Sequence, residues 1–172
     1  IIKSCEHSLK SLRTDHIDLY QLHWPKRGGY AFRQNWTFDP RGSSKARVED
    51  HMDAILTELA KLVAAGKVRG FGLSNESAWG TLRWIDTAER LGGPRVVSVQ
   101  NEYSLLHRLY DTDMAEVGQK ENVTLLAYSP LAAGLLYPFT GWLLSPMIAA
   151  LAMSLMGVMT AVLLPLAVAL LL

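Results

Sequence analysis

Four strand-like runs, each ending in small polar residues and separated by long helical patterns, constrain this chain more than any other feature. The runs are Ile17–Trp24, Val68–Asn75, Val96–Glu102 and Val123–Ser129. Their polar ends are His23, Ser74-Asn75, Gln100-Asn101 and Tyr128-Ser129. Strands alternating with helices imply a parallel sheet. In a parallel α/β barrel all carboxyl ends of the strands open on one mouth, where the chemistry is done. Four polar groups at four successive strand ends therefore read as one side of a single site.

The connecting segments carry their own signals. Val48, Met52, Ile55, Leu56, Leu59, Leu62 and Val63 recur at helical spacing, with Gly66 as a stop. A second helix is expected to open at the N-cap Ser77 and run through Leu82, Ile85, Ala88 and Leu91 to Gly92-Gly93. A third is expected from about Tyr110, with Asp111 and Asp113 in its first turn and Lys120 in its last, an order that suits the helix dipole. The connection Lys26–Arg47 is long and contains Tyr30, Phe32, Trp36 and Phe38. Loops of that length are functional or disordered, and the aromatic content argues against disorder. That leaves a loop over the mouth that contacts substrate, the preferred reading, or one that simply packs on a neighbouring helix.

Charge divides the chain in two. Its 17 Lys and Arg and 16 Asp and Glu all lie at or before Glu121. A net charge of +1 gives no basis for nucleic-acid binding. The single cysteine, Cys5, excludes an internal disulfide, fits a reducing compartment, and reads as an inert helix residue. The sequence opens on Ile1-Ile2 inside a helical pattern, with neither an initiating Met nor a signal peptide, and so reads as a fragment.

Residue chemistry alone leaves each strand end with two readings. His23 can orient and polarise a substrate carbonyl by hydrogen bonding, or can be a core histidine satisfied by backbone. Ser74, Asn75 and Gln100 suit recognition of a carboxamide, or simply end strands and cap helices. Tyr128 can stack on a flat ring or be a buried strand aromatic. The small-residue loop Ser129-Pro130-Leu131 with Gly134 lets a ligand approach the backbone.

Taken together, Leu19-Tyr20-Gln21-Leu22-His23-Trp24-Pro25, Gly72-Leu73-Ser74-Asn75, Val99-Gln100-Asn101-Glu102-Tyr103-Ser104 and Leu126-Ala127-Tyr128-Ser129-Pro130-Leu131 resemble the aldo-keto reductase family, and most closely the bacterial branch that includes relatives of the potassium-channel β-subunits. The likeness runs from Ser4 to about Leu136. It implies a partial (β/α)8 TIM barrel of about four βα units that binds NADP(H) without a Rossmann domain and reduces small-molecule aldehydes and ketones. By that resemblance His23 is the active-site histidine, and Ser74, Asn75 and Gln100 contact the nicotinamide carboxamide. Tyr128 is the ring that stacks on nicotinamide, while Ser129, Pro130, Leu131 and Gly134 lie on the pyrophosphate side. The family's catalytic tyrosine, lysine and aspartate come from strands that precede the one holding His23, and Tyr20, Tyr30 and Tyr103 do not stand in the tyrosine's motif. The chain as it stands is therefore expected to be inactive.

After Gly134 the resemblance stops. Residues 142–172 carry ten leucines and no charge, and at ~0.5 kcal/mol per central leucine this composition favours insertion into a bilayer. About 20 residues suffice to cross one, so a span over about 142–163 is expected, with residues 1–136 as a cytoplasmic reductase domain and 137–172 as a membrane tail. Trp142-Leu143-Leu144-Ser145-Pro146-Met147-Ile148-Ala149-Ala150 also resembles the terminal membrane segment of copper-transporting P-type ATPases, although Met156-Gly157 stands where that family has paired serines. Three functional readings follow: a truncated reductase, a membrane-tethered pseudoenzyme that binds nucleotide or a partner, and a fusion or frameshift product without a selected role. The sequence gives no indication of oligomeric state.

Overall fold

A computed structural model describes residues 1–32 and 34–132. Within them the order is helix α1 (Ile2–Leu12), strand β1 (Ile17–Leu22), helix α2 (Lys45–Ala64), strand β2 (Val68–Ser74), helix α3 (Ala78–Leu91), strand β3 (Val96–Glu102), helix α4 (Met114–Glu121) and strand β4 (Thr124–Tyr128). The four strands form one sheet in the order β1-β2-β3-β4, with every pair parallel. This is the arrangement of consecutive βα units in a barrel. Leu22 stands opposite Leu73, Ser74 opposite Gln100, and Glu102 opposite Tyr128, so the carboxyl ends lie level.

Helix boundaries follow the local chemistry. Ser44 caps α2, its hydroxyl accepting from the Arg47 amide, and Ser77 caps α3 by accepting from the Gly80 amide. Gly66 (φ 70°) and Gly92 (φ 59°) take up the left-handed turn that ends each of these helices. Helix α4 departs from expectation. A separate turn of 3₁₀ helix occupies Leu109–Thr112, closed by the Thr112 hydroxyl donating to the Leu109 carbonyl at 2.7 Å. Asp113, at φ −148°, then breaks the chain before α4 starts at Met114. Asp111 pairs with Arg108 in that turn and does not stand in the first turn of the helix.

Three strands are shorter than the sequence suggested, for reasons visible in the backbone. Asn75 and Ser129 are left-handed, at φ 57° and 54°, which ends β2 at Ser74 and β4 at Tyr128. The Val123 amide donates to the Gly118 carbonyl, closing α4, and is lost to the sheet. At β1 the last pairing is Leu22 with Leu73, three residues before Pro25, whose ring nitrogen has no hydrogen to donate.

All four helices contribute to a single apolar core, so they cover one face of the sheet. Cys5 and Leu9 of α1, Met52, Leu56 and Leu59 of α2, Trp84 and Ile85 of α3 and Met114 of α4 pack on Val68, Phe71, Val96 and Val99. Cys5 is fully buried, and burial, then the neighbouring Glu6 carboxylate, push its thiol pKa up, which agrees with an unreactive side chain. The chain divides into a unit Ile1–Tyr128 and a second unit that begins at Ser129. Of the second, Ser129 to Ala132 form a turn closed by the Ala132 amide on the Ser129 carbonyl at 2.8 Å. Gly134, the expected span 142–163 and the segment likened to P-type ATPases lie outside the described residues. Among the described residues no helix is long and apolar enough to cross a membrane.

Candidate active site at the strand ends

The sheet brings five of the expected residues to one place. His23, Ser74, Asn75, Gln100 and Tyr128 line a cavity of about 420 Å³ at the carboxyl ends of the strands, together with Gln21 and Phe32. Side chains alternate along a strand, so Gln21 and the opposing Gly72 lie on the face away from the helices. Gly72 is required there because any Cβ would collide with the Ser98 side chain of the next strand.

Asn75 is the hub. Its Nδ2 donates to the His23 carbonyl at 3.1 Å and to the Ser74 hydroxyl at 3.1 Å, while its Oδ1 accepts from the Tyr128 hydroxyl at 2.7 Å. The Gln100 carbonyl receives both the Asn75 amide at 2.9 Å and the Ser74 hydroxyl at 3.0 Å. Ser74 and Asn75 thus spend their polar groups inside the protein, where they fix the positions of His23, Gln100 and Tyr128. Burial, then the Glu102 carboxylate, push the Tyr128 phenol above its usual pKa, so it keeps its proton and donates at neutral pH.

Behind Asn75 stands a buried clamp. The Asn101 carboxamide accepts from the Glu76 amide at 3.1 Å and donates to the Glu76 carbonyl at 2.9 Å. The Glu76 carboxylate, its side chain 2% exposed, is held by Arg27, whose Nη1 reaches Oε2 at 3.1 Å and whose Nη2 also donates to the Ser77 hydroxyl at 3.0 Å. The guanidinium lies 5.1 Å from the centre of the Trp79 ring. Arg27 follows His23 by four residues, so this pair ties the segment after β1 to the segment after β2.

Two further residues line the cavity: Gln21, which no sequence signal singled out, and Phe32, one of the aromatics of the connection expected over the mouth. Gln21 Nε2 is buried with no hydrogen-bond partner among the described residues. No motif marks it as functional, although its place two residues before His23 puts it on the same face. Phe32, from the long connection, takes a left-handed φ of 54° that bulky residues rarely adopt. Its ring stacks 5.6 Å from Trp24 and 5.7 Å from Tyr128. The connection therefore reaches the mouth through Phe32, whereas Trp36 is 91% exposed. Ser129, Pro130 and Leu131 belong to the second unit, whose described residues form the turn given above.

Comparison with known proteins places this geometry. The pattern that defines the Aldo/keto reductase family matches residues 1–141. The chain belongs to the aldo/keto reductase family. It is 43% identical over 139 residues to Protein tas of Escherichia coli K12, covering 79% of this chain and 38% of that relative. Among solved structures, the thermostable aldo-keto reductase Tm1743, determined with the inhibitor epalrestat, superposes with a TM-score of 0.60 at 30% identity, covering 81% of this chain and 42% of the other. An aldo/keto reductase from Klebsiella pneumoniae, determined with NADP and acetate, gives a TM-score of 0.54 at 28% identity, covering 78% and 39%. The chain thus spans well under half the length of each of these aldo/keto reductases.

Proposed function

We propose that residues 1–128 form the nicotinamide half of an NADP(H)-dependent carbonyl reductase site. The observation that carries this reading is the convergence of His23, Gln100 and Tyr128 on one cavity through Asn75, whose side chain reaches the His23 carbonyl and the Tyr128 hydroxyl and whose backbone N–H donates to the Gln100 carbonyl. The fit to a carboxamide-bearing ring is supported by Gln21, whose buried Nε2 lacks a partner among the described residues and lines that cavity. Gln21 and Gln100 would hold the carboxamide, with Ser74 and Asn75 bracing Gln100 and Tyr128 offering its ring face. The family resemblance would assign the pyrophosphate side to Ser129, Pro130, Leu131 and Gly134. When bound, NADPH supplies a hydride to the carbonyl carbon of the substrate. His23 would orient the carbonyl oxygen by donating a hydrogen bond to it.

The proton that completes the alcohol needs an acid, and no tyrosine of the family's acid motif stands in this sequence. General acid catalysis contributes about 10²–10⁴-fold, so this 172-residue chain alone should turn over slowly or not at all. Purified chain with NADPH and 4-nitrobenzaldehyde should show no oxidation above background; robust turnover abolished by His23→Ala would overturn the inactivity. The site itself is tested by saturation-transfer NMR with NADPH. Transfer to the nicotinamide protons, lost in Tyr128→Ala, is expected, and transfer to the adenine protons alone would refute the assignment.

The uncharged stretch 142–172 supports a second element, a membrane tail that tethers this domain on the cytoplasmic side. Extraction at high pH with carbonate should leave the chain in the pellet. Its recovery in the supernatant with residues 142–172 intact would count against the tether.

A further inference from the structure

A second cavity, also of about 420 Å³, lies behind the sheet. Leu22 and Leu73 alternate with Gln21 and Gly72 and so point toward the helices, away from the strand-end cavity. With Met52 and Ile55 of α2 and Trp84 of α3 they give this cavity an apolar floor. Its rim is cationic. Lys26 and Arg27 border it from the segment after β1, and Arg47 and His51 from the first turns of α2. The one carboxylate among its lining residues, that of Glu76, is already bound to Arg27. Among the described residues neither Lys26 nor Arg47 forms an ion pair with an acidic side chain. His51 is held below the usual histidine pKa, by burial first and by the Lys26 ammonium second, which places Lys26 and His51 in one field.

An apolar floor with a few convergent polar groups at the rim is the general form of a small-molecule site. Here the rim has one sign of charge and no counter-ion of its own. We propose that this cavity binds a small amphipathic carboxylate, with an aromatic or branched aliphatic body on the Leu73–Met52–Trp84 floor and its carboxylate at Lys26 and Arg47. The first turn of α2, whose amide groups carry the positive end of the helix dipole, lies on the same rim and favours the same charge. The site is distinct from the one assigned to the nicotinamide, although His23 and Ser74 border both cavities.

The full chain, labelled at methionine and isoleucine methyl groups, would be titrated by NMR with 2-naphthoate and with its neutral counterpart 2-naphthamide. Binding of 2-naphthoate should move the Met52 and Ile55 methyl signals, with 2-naphthamide weaker by roughly 10- to 100-fold, the scale of a lost charge-assisted hydrogen bond. The double variant Lys26→Ala/Arg47→Ala, altered only at the rim, should bring the carboxylate down to the level of the amide. Gln100→Leu, confined to the strand-end cavity, should leave binding unchanged. Equal binding of acid and amide, shifts absent from Met52 and Ile55, or loss of binding in Gln100→Leu would each overturn the proposal. Because none of these readouts uses NADPH, failure here leaves the nicotinamide assignment standing, and the reverse also holds.

Discussion

The two inner strands and the two outer strands hold the candidate site in different ways. Val68, Phe71 and Leu73 of β2 and Val96 and Val99 of β3 are at most 2% exposed, whereas no residue of β1 or β4 is fully buried. Ser74 and Gln100 therefore sit on strands fixed by packing. His23 and Tyr128 sit at the ends of strands with much less apolar anchorage. What aligns them is the Asn75 side chain, which reaches the His23 carbonyl on one side and the Tyr128 hydroxyl on the other. The centre of the site is positioned by burial and its flanks by hydrogen bonds, and the two contributions fail under different substitutions.

The sharpest way to break this contrast is to cut the core under each kind of strand. Phe71 is fully buried and meets Trp84 edge-on at 6.2 Å between ring centres. Phe71→Ala should cost about 3–5 kcal/mol, the range for emptying a packed aromatic site. Leu22→Ala, at a half-buried position of β1 that borders the second cavity, should cost only about 1–2 kcal/mol. Urea unfolding of both variants measures the difference, and equal losses would show that the outer strand is anchored as firmly as the inner one.

A smaller loss is expected from the clamp behind Asn75. Asn101→Leu keeps the approximate shape of the side chain but leaves the buried Glu76 amide and carbonyl without the partners Asn101 provides. Each of the two buried groups left unpaired costs about 1–3 kcal/mol and the buried apolar side chain regains about 1–2 kcal/mol, so the net loss should centre near about 2–3 kcal/mol. The amide exchange of Asn75 and Glu76 should quicken more than that of the β2 core. Uniform quickening across β2 would mean that the clamp supports the whole strand and not the site alone.

Much of this arrangement can be read directly from residues. Period and polarity marked all four strands, since β-rich runs that end in Ser, Asn, Gln and Tyr have few alternatives in an alternating α/β pattern, and Ser77 with Gly92 bounded α3 by capping chemistry alone. The start of α4 could not be read this way, because Asp111 and Asp113 suit a helix N-terminus equally well in the 3₁₀ turn that the backbone adopts. Strand ends were misjudged where a left-handed Asn75 or Ser129 stops the pairing, a conformation that the side chain permits but does not announce. Gln21 was hidden because its value lies in facing an unfilled cavity, whereas Phe32 was expected at the mouth with the other aromatics of its connection and only its partners Trp24 and Tyr128 needed the structure. The Arg27–Glu76 pair joins residues 49 apart, with no spacing rule to connect them.

The smallest effect is expected where an outer strand depends on a single polar tie. Tyr128→Phe removes only the hydroxyl that donates to Asn75 Oδ1. It keeps the ring that stacks on Phe32 and would face the nicotinamide. A neutral hydrogen bond is worth about 0.5–1.5 kcal/mol net, and this one lies at a partly exposed position, so the loss of stability should stay within that range. Its consequence for the site should be larger than for the fold. Without the tie, the end of β4 is free to shift relative to His23 while the inner strands stay in place. The expected signature is an NMR shift at Asn75 and in the rings of Phe32 and Trp24, with the Phe71 and Trp84 signals unmoved. Should Phe71 and Trp84 respond as strongly as Asn75, the flank and the centre would be one packing unit, and the division between burial and hydrogen bonding would not hold.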